Sequence, residues 1–134
     1  MAATVAPFMP SPAEIAACRW LTDAVVGVYV TEYSRTQVTG ALQGYRVRRG
    51  SEPKSLAEMQ TFAGRTIDVP SMFVAGKSDW GPFQTPGALE SMRTHACSRM
   101  VGVQFLEGAG HWVQQEQPEA VSRLLVQFLR DHAV

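Results

Sequence analysis

"DVPSMFVAGKSDW", Asp68 to Trp80, decides how the chain is read. An apolar run opens after Pro70 and closes at Gly76, the length and punctuation of a short buried strand. Three readings compete for the residues that follow it. Gly76-Lys77-Ser78 could end a phosphate-binding loop, Gly76-x-Ser78 could open a serine nucleophile elbow, or Asp79 could be an acid presented just beyond the strand. A phosphate loop needs a glycine five residues before Gly76, where Ser71 stands, and a helix directly after Lys-Ser, where Trp80-Gly81-Pro82 oppose one. An elbow of the form G-x-S-x-G fails at Trp80, and no other serine fits. Asp79 remains.

Working outward, "MVGVQFLEG" (100–108) is a second apolar strand. "SLAEMQTFAG" (55–64) reads as a helix closed by Gly64, and "TPGALESMRTHAC" (85–97) as a helix between the strands. "QPEAVSRLLVQFLRDHA" (117–133) is a long amphipathic helix with Pro118 in its first turn and Val121, Leu124, Leu125, Phe128 and Leu129 on one face. The order helix, strand, helix, strand, helix predicts an α/β arrangement in which two parallel strands are joined by a right-handed crossover.

Beyond the second strand stands His111, in "LEGAGHW". Open α/β sheets keep their sites at the carboxyl ends of their strands, so adjacent strands would let Asp79 and His111 meet although 111 − 79 = 32 positions separate them. Gly108 and Gly110 permit the tight turn that points His111 back over the sheet. A carboxylate there would fix the imidazole tautomer and stabilise its protonated form. Alone, each residue has an ordinary explanation: Asp forms turns and caps, and His sits in loops. Their joint placement points to an acid–histidine pair. His95 and His132 lie on or at the ends of helices without such a companion and read as structural.

Upstream, "SPAEIAACRW" carries a capping box of Ser11, Pro12 and Glu14. "TDAVVGVYVTEYSRT" reads as a helix capped by Thr22, although its β-branched residues would also suit a strand. "TGALQGYRVRR" is a short helical segment, and "RRGSEP" a linker. Residues 1–50 and 51–134 are therefore expected to be separate domains.

Composition narrows the function. A chain of 134 residues, 46% hydrophobic, can build a core. Its 12 basic and 12 acidic residues cancel without forming runs, which argues against nucleic acid or an acidic lipid surface as partner. Cys18 and Cys97 are isolated, so no metal site is expected and both read as reduced thiols. No leader pattern or apolar run of ~20 residues appears, and the expected location is the cytoplasm.

"DVPSMFVAGKSDW" together with "EGAGHWVQQEQPEAVSRLLVQFLR" resembles the C-terminal portion of α/β-hydrolases of the epoxide hydrolase and dehalogenase group. There a "VPxLxVxGxxD" strand presents the triad acid and a "GxGHWxQxExPxxVxxxLxxFL" segment the triad histidine. The resemblance covers about residues 20 to 134 and implies a partial α/β-hydrolase fold: the later part of a helical lid over 1–50, then the C-terminal part of the core. It implies that Asp79 orients His111, and that His111 is the general base activating water to hydrolyse a covalent ester, with no cofactor. "EYSRTQVTGALQGYR" is similar to the lid pattern "xYxxTGFxGxLxWYR", which implies that Tyr45 donates a hydrogen bond to an epoxide oxygen; Gln37, Val38 and Gly44 stand where the pattern has glycine, phenylalanine and tryptophan. An ordinary half-buried helix residue is the other reading of Tyr45.

The family's nucleophile belongs to an elbow that this sequence does not contain. Asp23 and Asp131 fall on helices and Asp68 precedes the strand, so none replaces it by position. The resemblance therefore implies the later part of a longer or truncated reading frame that opens a small apolar substrate only when whole, and is inactive alone. A sheet of two parallel strands leaves an edge open, which suits a non-catalytic module or half-fold binding another chain. A segment of a dehalogenase or a serine esterase would share Asp79 and His111.

Overall fold

In the computed structural model, which describes residues 4 and 6–132, the chain divides between Glu52 and Pro53 into two compact units. The first is helical. After a 3-10 turn at Ala6–Phe8 come α1 (Pro12–Ala17), α2 (Asp23–Thr36) and α3 (Gln43–Arg48). The capping box at the start of α1 is formed: Ser11 Oγ accepts from the Glu14 amide at 3.3 Å, and the Ser11 amide donates to Glu14 Oε2 at 2.7 Å. Thr22 caps α2 by accepting from the Val25 amide. That cap and the spacing of its side chains prevail over the strand preference of the valines in 23–36. Helix α2 stops at Gln37, whose φ of 59° and ψ of 171° lie in a region that favours glycine.

The second unit places the functional residues. Helix α4 (Pro53–Gln60) opens at Pro53, two residues before the sequence suggested, and Gly64 carries the chain away with φ 79°. Strand β1 (Ser71–Gly76) pairs in parallel with β2 (Met100–Leu106) from Ser71 opposite Met100 to Gly76 opposite Leu106, and an Ile67–Cys97 bridge extends the pairing upstream. The thiol of Cys97 is buried there.

The helix expected over 85–97 is much shorter. Gly87 sits in the left-handed region, so α5 begins only at Ala88 and ends at Ser91, and a π-helical turn, Met92–Ala96, follows. The widened turn lets the Cys97 amide reach Met92 O at 2.9 Å while Cys97 pairs with Ile67. The demand of the sheet overrides the local helix. After β2, a one-turn helix α6 (Val113–Glu116) precedes α7 (Pro118–His132). They are separate because Gln117, preceding a proline, is driven out of the helical region to φ −133°.

The core of this unit is thin. Ala75, Cys97, Ala109 and Val113 are buried, and Phe105 packs between Phe73 and Phe83 with ring centroids 6.2 and 5.9 Å away. On α7 the expected apolar face splits: Val121, Leu124 and Phe128 are half-buried, whereas Leu125 and Leu129 face solvent. Among the described residues no helix is long and apolar enough to cross a membrane.

Candidate active site

The C-terminal ends of β1 and β2 are tied together beyond the last strand residues. The Lys77 amide donates to Leu106 O at 2.8 Å, the Ser78 amide to Ala109 O at 3.0 Å, and the Asp79 amide turns back to Gly76 O at 3.1 Å. Gly76 is essential to this junction. A Cβ placed on it would stand 2.2 Å from Gly110 O and 2.3 Å from Ala109 O, so only glycine lets the loop after β2 lie on the end of β1.

That junction brings the two sequence-selected residues together. Asp79 Oδ1 and His111 Nδ1 are 3.1 Å apart. Asp79 is 8% exposed, and the same oxygen accepts the Gly81 amide at 2.7 Å. The Gly81 hydrogen bond holds the Asp79 carboxyl below the usual carboxylate range; burial opposes the shift and the His111 contact adds to it. An ionised carboxylate only accepts, so the proton of the contact sits on His111 Nδ1 and the lone pair of a neutral ring lies on Nε2. The arrangement can therefore take a proton at Nε2 and stabilise the resulting cation. Trp80 lies nearly parallel to the imidazole at 6.4 Å between centroids, and Trp112 meets it edge-on at 5.4 Å.

Tyr45 lies on α3 in the first unit and is mostly exposed. The other candidates are occupied elsewhere. Asp68 accepts from the Thr66 and Ser98 hydroxyls, both at 2.7 Å, which hold its carboxyl below the usual range and join the segments leading into the two strands. Asp131 accepts from Gln127, and His95 contacts the Thr94 hydroxyl. Lys77, the residue that imitates a phosphate loop, pairs with Glu107 at the end of β2. Among the described residues no three His, Cys, Asp or Glu side chains gather to hold a metal ion.

Four features of the site are not evident from the sequence: the Gly76 contact, the Gly81 amide, the Trp80 ring and the partners of Glu116. The last has the richest geometry, since one carboxylate accepts the Gly110 amide at 2.7 Å and the Trp112 amide at 2.9 Å. The residue falls on the glutamate of the "GxGHWxQxExP" motif, five positions after His111, but the motif does not say what it binds. A groove of about 770 Å³ between β2 and α7, lined by residues such as Gln104, Leu106 and Leu124, touches neither Asp79 nor His111.

Comparison with known proteins points to one kind of enzyme. No family model matches the chain. It is 33% identical over 125 residues to epoxide hydrolase A of Mycobacterium tuberculosis, covering 90% of this chain and 35% of that protein. It is 36% identical over 111 residues to an epoxide hydrolase of Caballeronia sordidicola, covering 83% and 32%. Among solved structures, an epoxide hydrolase from an endophytic Streptomyces superposes with TM-score 0.73 at 34% identity, over 84% of this chain and 33% of the other. Potato epoxide hydrolase I superposes with TM-score 0.73 at 26% identity, over 92% and 38%. The chain thus spans about a third of the length of the curated relatives it matches.

Proposed function

We propose that this chain, a segment of the epoxide hydrolase-like group of the α/β-hydrolases, supplies the histidine and orienting acid of a site that opens epoxides through a covalent ester. The observation that carries the reading is the Asp79–His111 contact at the carboxyl ends of two paired parallel strands.

In the whole enzyme a carboxylate from outside this chain attacks an epoxide carbon, the carbon–oxygen bond breaks, and Tyr45 gives its phenolic proton to the departing alkoxide. Water then attacks the ester carbonyl and its proton passes to His111 Nε2; the ester carbon–oxygen bond breaks, the imidazolium protonates the departing alkoxide to give the diol, and the proton of the carboxylic acid left behind returns to the Tyr45 phenolate, which restores the carboxylate. Asp79 stays ionised throughout and balances the imidazolium. Trp80 and Trp112, whose rings lie against the imidazole, offer aromatic surface that suits a small apolar substrate.

The test replaces the corresponding C-terminal third of the Mycobacterium tuberculosis epoxide hydrolase A with this chain. The chimera turns over epoxides, whereas the isolated chain does not. His111→Gln in the chimera halts the second step, so the alkylated enzyme accumulates and is read by intact-protein mass spectrometry. A folded chimera whose turnover ignores His111→Gln, or His111-dependent turnover by the isolated chain, overturns the reading.

A second reading rests on the sheet, whose two strands each have only one strand partner among the described residues. Such edges, with an apolar face of α7 exposed, suit association with a chain that carries further strands. Size-exclusion chromatography showing a cooperative, stable monomer argues against it.

A further inference from the structure

Glu116 is held in an unusual relation to the loop that presents His111. Its two carboxylate oxygens are divided between the amides on either side of that residue: Oε2 accepts from Gly110 and Oε1 from Trp112. The carboxylate reaches them because α6 is a single turn rising from Trp112, with the Glu116 amide donating to Trp112 O at 2.9 Å. From the opposite side β1 fixes the same loop, through the Ser78 amide on Ala109 O and the contact of Gly76 with Ala109 and Gly110.

We infer that Glu116 is a positioning residue that sets the direction of the His111 imidazole by holding the Ala109–Gly110 and His111–Trp112 peptide groups that flank it. With those two peptide groups held, only the Gly110–His111 peptide between them can turn, within limits set at both ends, and the ring has its two side-chain torsions. Asp79 then selects among them through Nδ1. A carboxylate suits this task better than an amide, because each of its oxygens accepts, whereas Gln would turn an NH2 group toward one of the two donors. Asp, one methylene shorter, cannot span the same pair of amides. The inference deepens the proposed hydrolytic role of His111 and rests on it for its meaning.

Nuclear magnetic resonance of the 134-residue chain tests it without requiring turnover. The His111 Nδ1–H resonance, assigned by its loss in His111→Gln, exchanges slowly with water in the wild type. In Glu116→Gln it exchanges about ten-fold faster or broadens away, the scale of losing one charge-assisted hydrogen bond, while the β1 and β2 amide shifts stay in place. Glu119→Gln, on the exposed start of α7, leaves the resonance unchanged. An Nδ1–H resonance unaffected by Glu116→Gln overturns the inference. Should that variant not fold, the wild-type amides decide: Gly110 and Trp112 exchanging at unprotected rates overturn it as well. In the chimera, Glu116→Gln slows ester breakdown and lowers kcat, while kcat/KM for the epoxide, set by the alkylation step, is kept. A chimera without turnover, beside an Nδ1–H resonance that does respond to Glu116→Gln, removes the hydrolytic reading and leaves the positioning role standing.

Discussion

Gly76 and Gly110 touch backbone to backbone: a methyl group on Gly76 would lie 2.2 Å from Gly110 O. The obstruction is main chain rather than a flexible side chain, and the Ala109 carbonyl, 2.3 Å from the same methyl position, is itself held by the Ser78 amide. Gly76→Ala must therefore shift the loop that carries His111 away from β1. The expected cost is about 2–3 kcal/mol, at the upper end for overpacking, accompanied by loss of the Asp79–His111 contact. Urea unfolding measures the first and the Nδ1–H resonance the second. An unchanged midpoint and an unchanged resonance would show that the loop lies elsewhere.

Asp79 gives the fold a pH dependence of known sign. Its carboxyl is held below the usual range by the Gly81 amide and, to a lesser extent, by His111, so the folded state binds its proton more weakly than the unfolded chain, where the value is about 3.9. The stabilisation is present above that unfolded value and disappears as the pH falls through the lower, folded one. Asp79→Asn keeps an acceptor for Gly81 but loses the charge, at about 1–2 kcal/mol near neutral pH. Paired denaturant titrations should give a stability difference that narrows as the pH falls below about 4. A difference that keeps its full size at about pH 2 contradicts the assignment.

Gln37 occupies a conformation that glycine adopts freely and other residues resist, with φ 59° and ψ 171° at the end of α2. It is also the position at which the related lid pattern has glycine. Gln37→Gly should stabilise the first unit by about 1 kcal/mol, the relief of backbone strain exceeding the entropy of a freer unfolded chain. Thermal melts followed by circular dichroism, with Gln37→Ala as reference, should rise only for the glycine variant. A lower midpoint for Gln37→Gly refutes the strained geometry.

What could be read from the sequence was whatever depends on near neighbours or on a repeated pattern. The Ser11–Glu14 capping box, the Thr22 cap, the strand that ends at Gly76 and the proline-led start of α7 are of this kind, and the α/β-hydrolase framework follows from their order and from the motifs around Asp79 and His111. Contacts made across the sheet were not legible. The 85–97 segment has a helical composition, yet Gly87 delays its start and the Ile67–Cys97 bridge reshapes its end. Glu116 falls in the motif after His111, yet its task remained hidden because both its partners are main-chain amides, which leave no residue-type signature. Gly76 looked like the end of a strand, and its second duty toward Gly110 exists only once β2 lies alongside.

The parallel register has a kinetic meaning. Ser71 pairs with Met100 and Gly76 with Leu106, separations of 100 − 71 = 29 and 106 − 76 = 30 positions, so a long loop must close before the first rung of the sheet gains anything. Helices form within microseconds from local contacts, whereas non-local parallel pairing is slow. The Asp79–His111 contact, depending on the finished sheet, belongs among the last events of folding. Its imidazole signal would then mark arrival at the native state, at a time when the helices alone would already look complete.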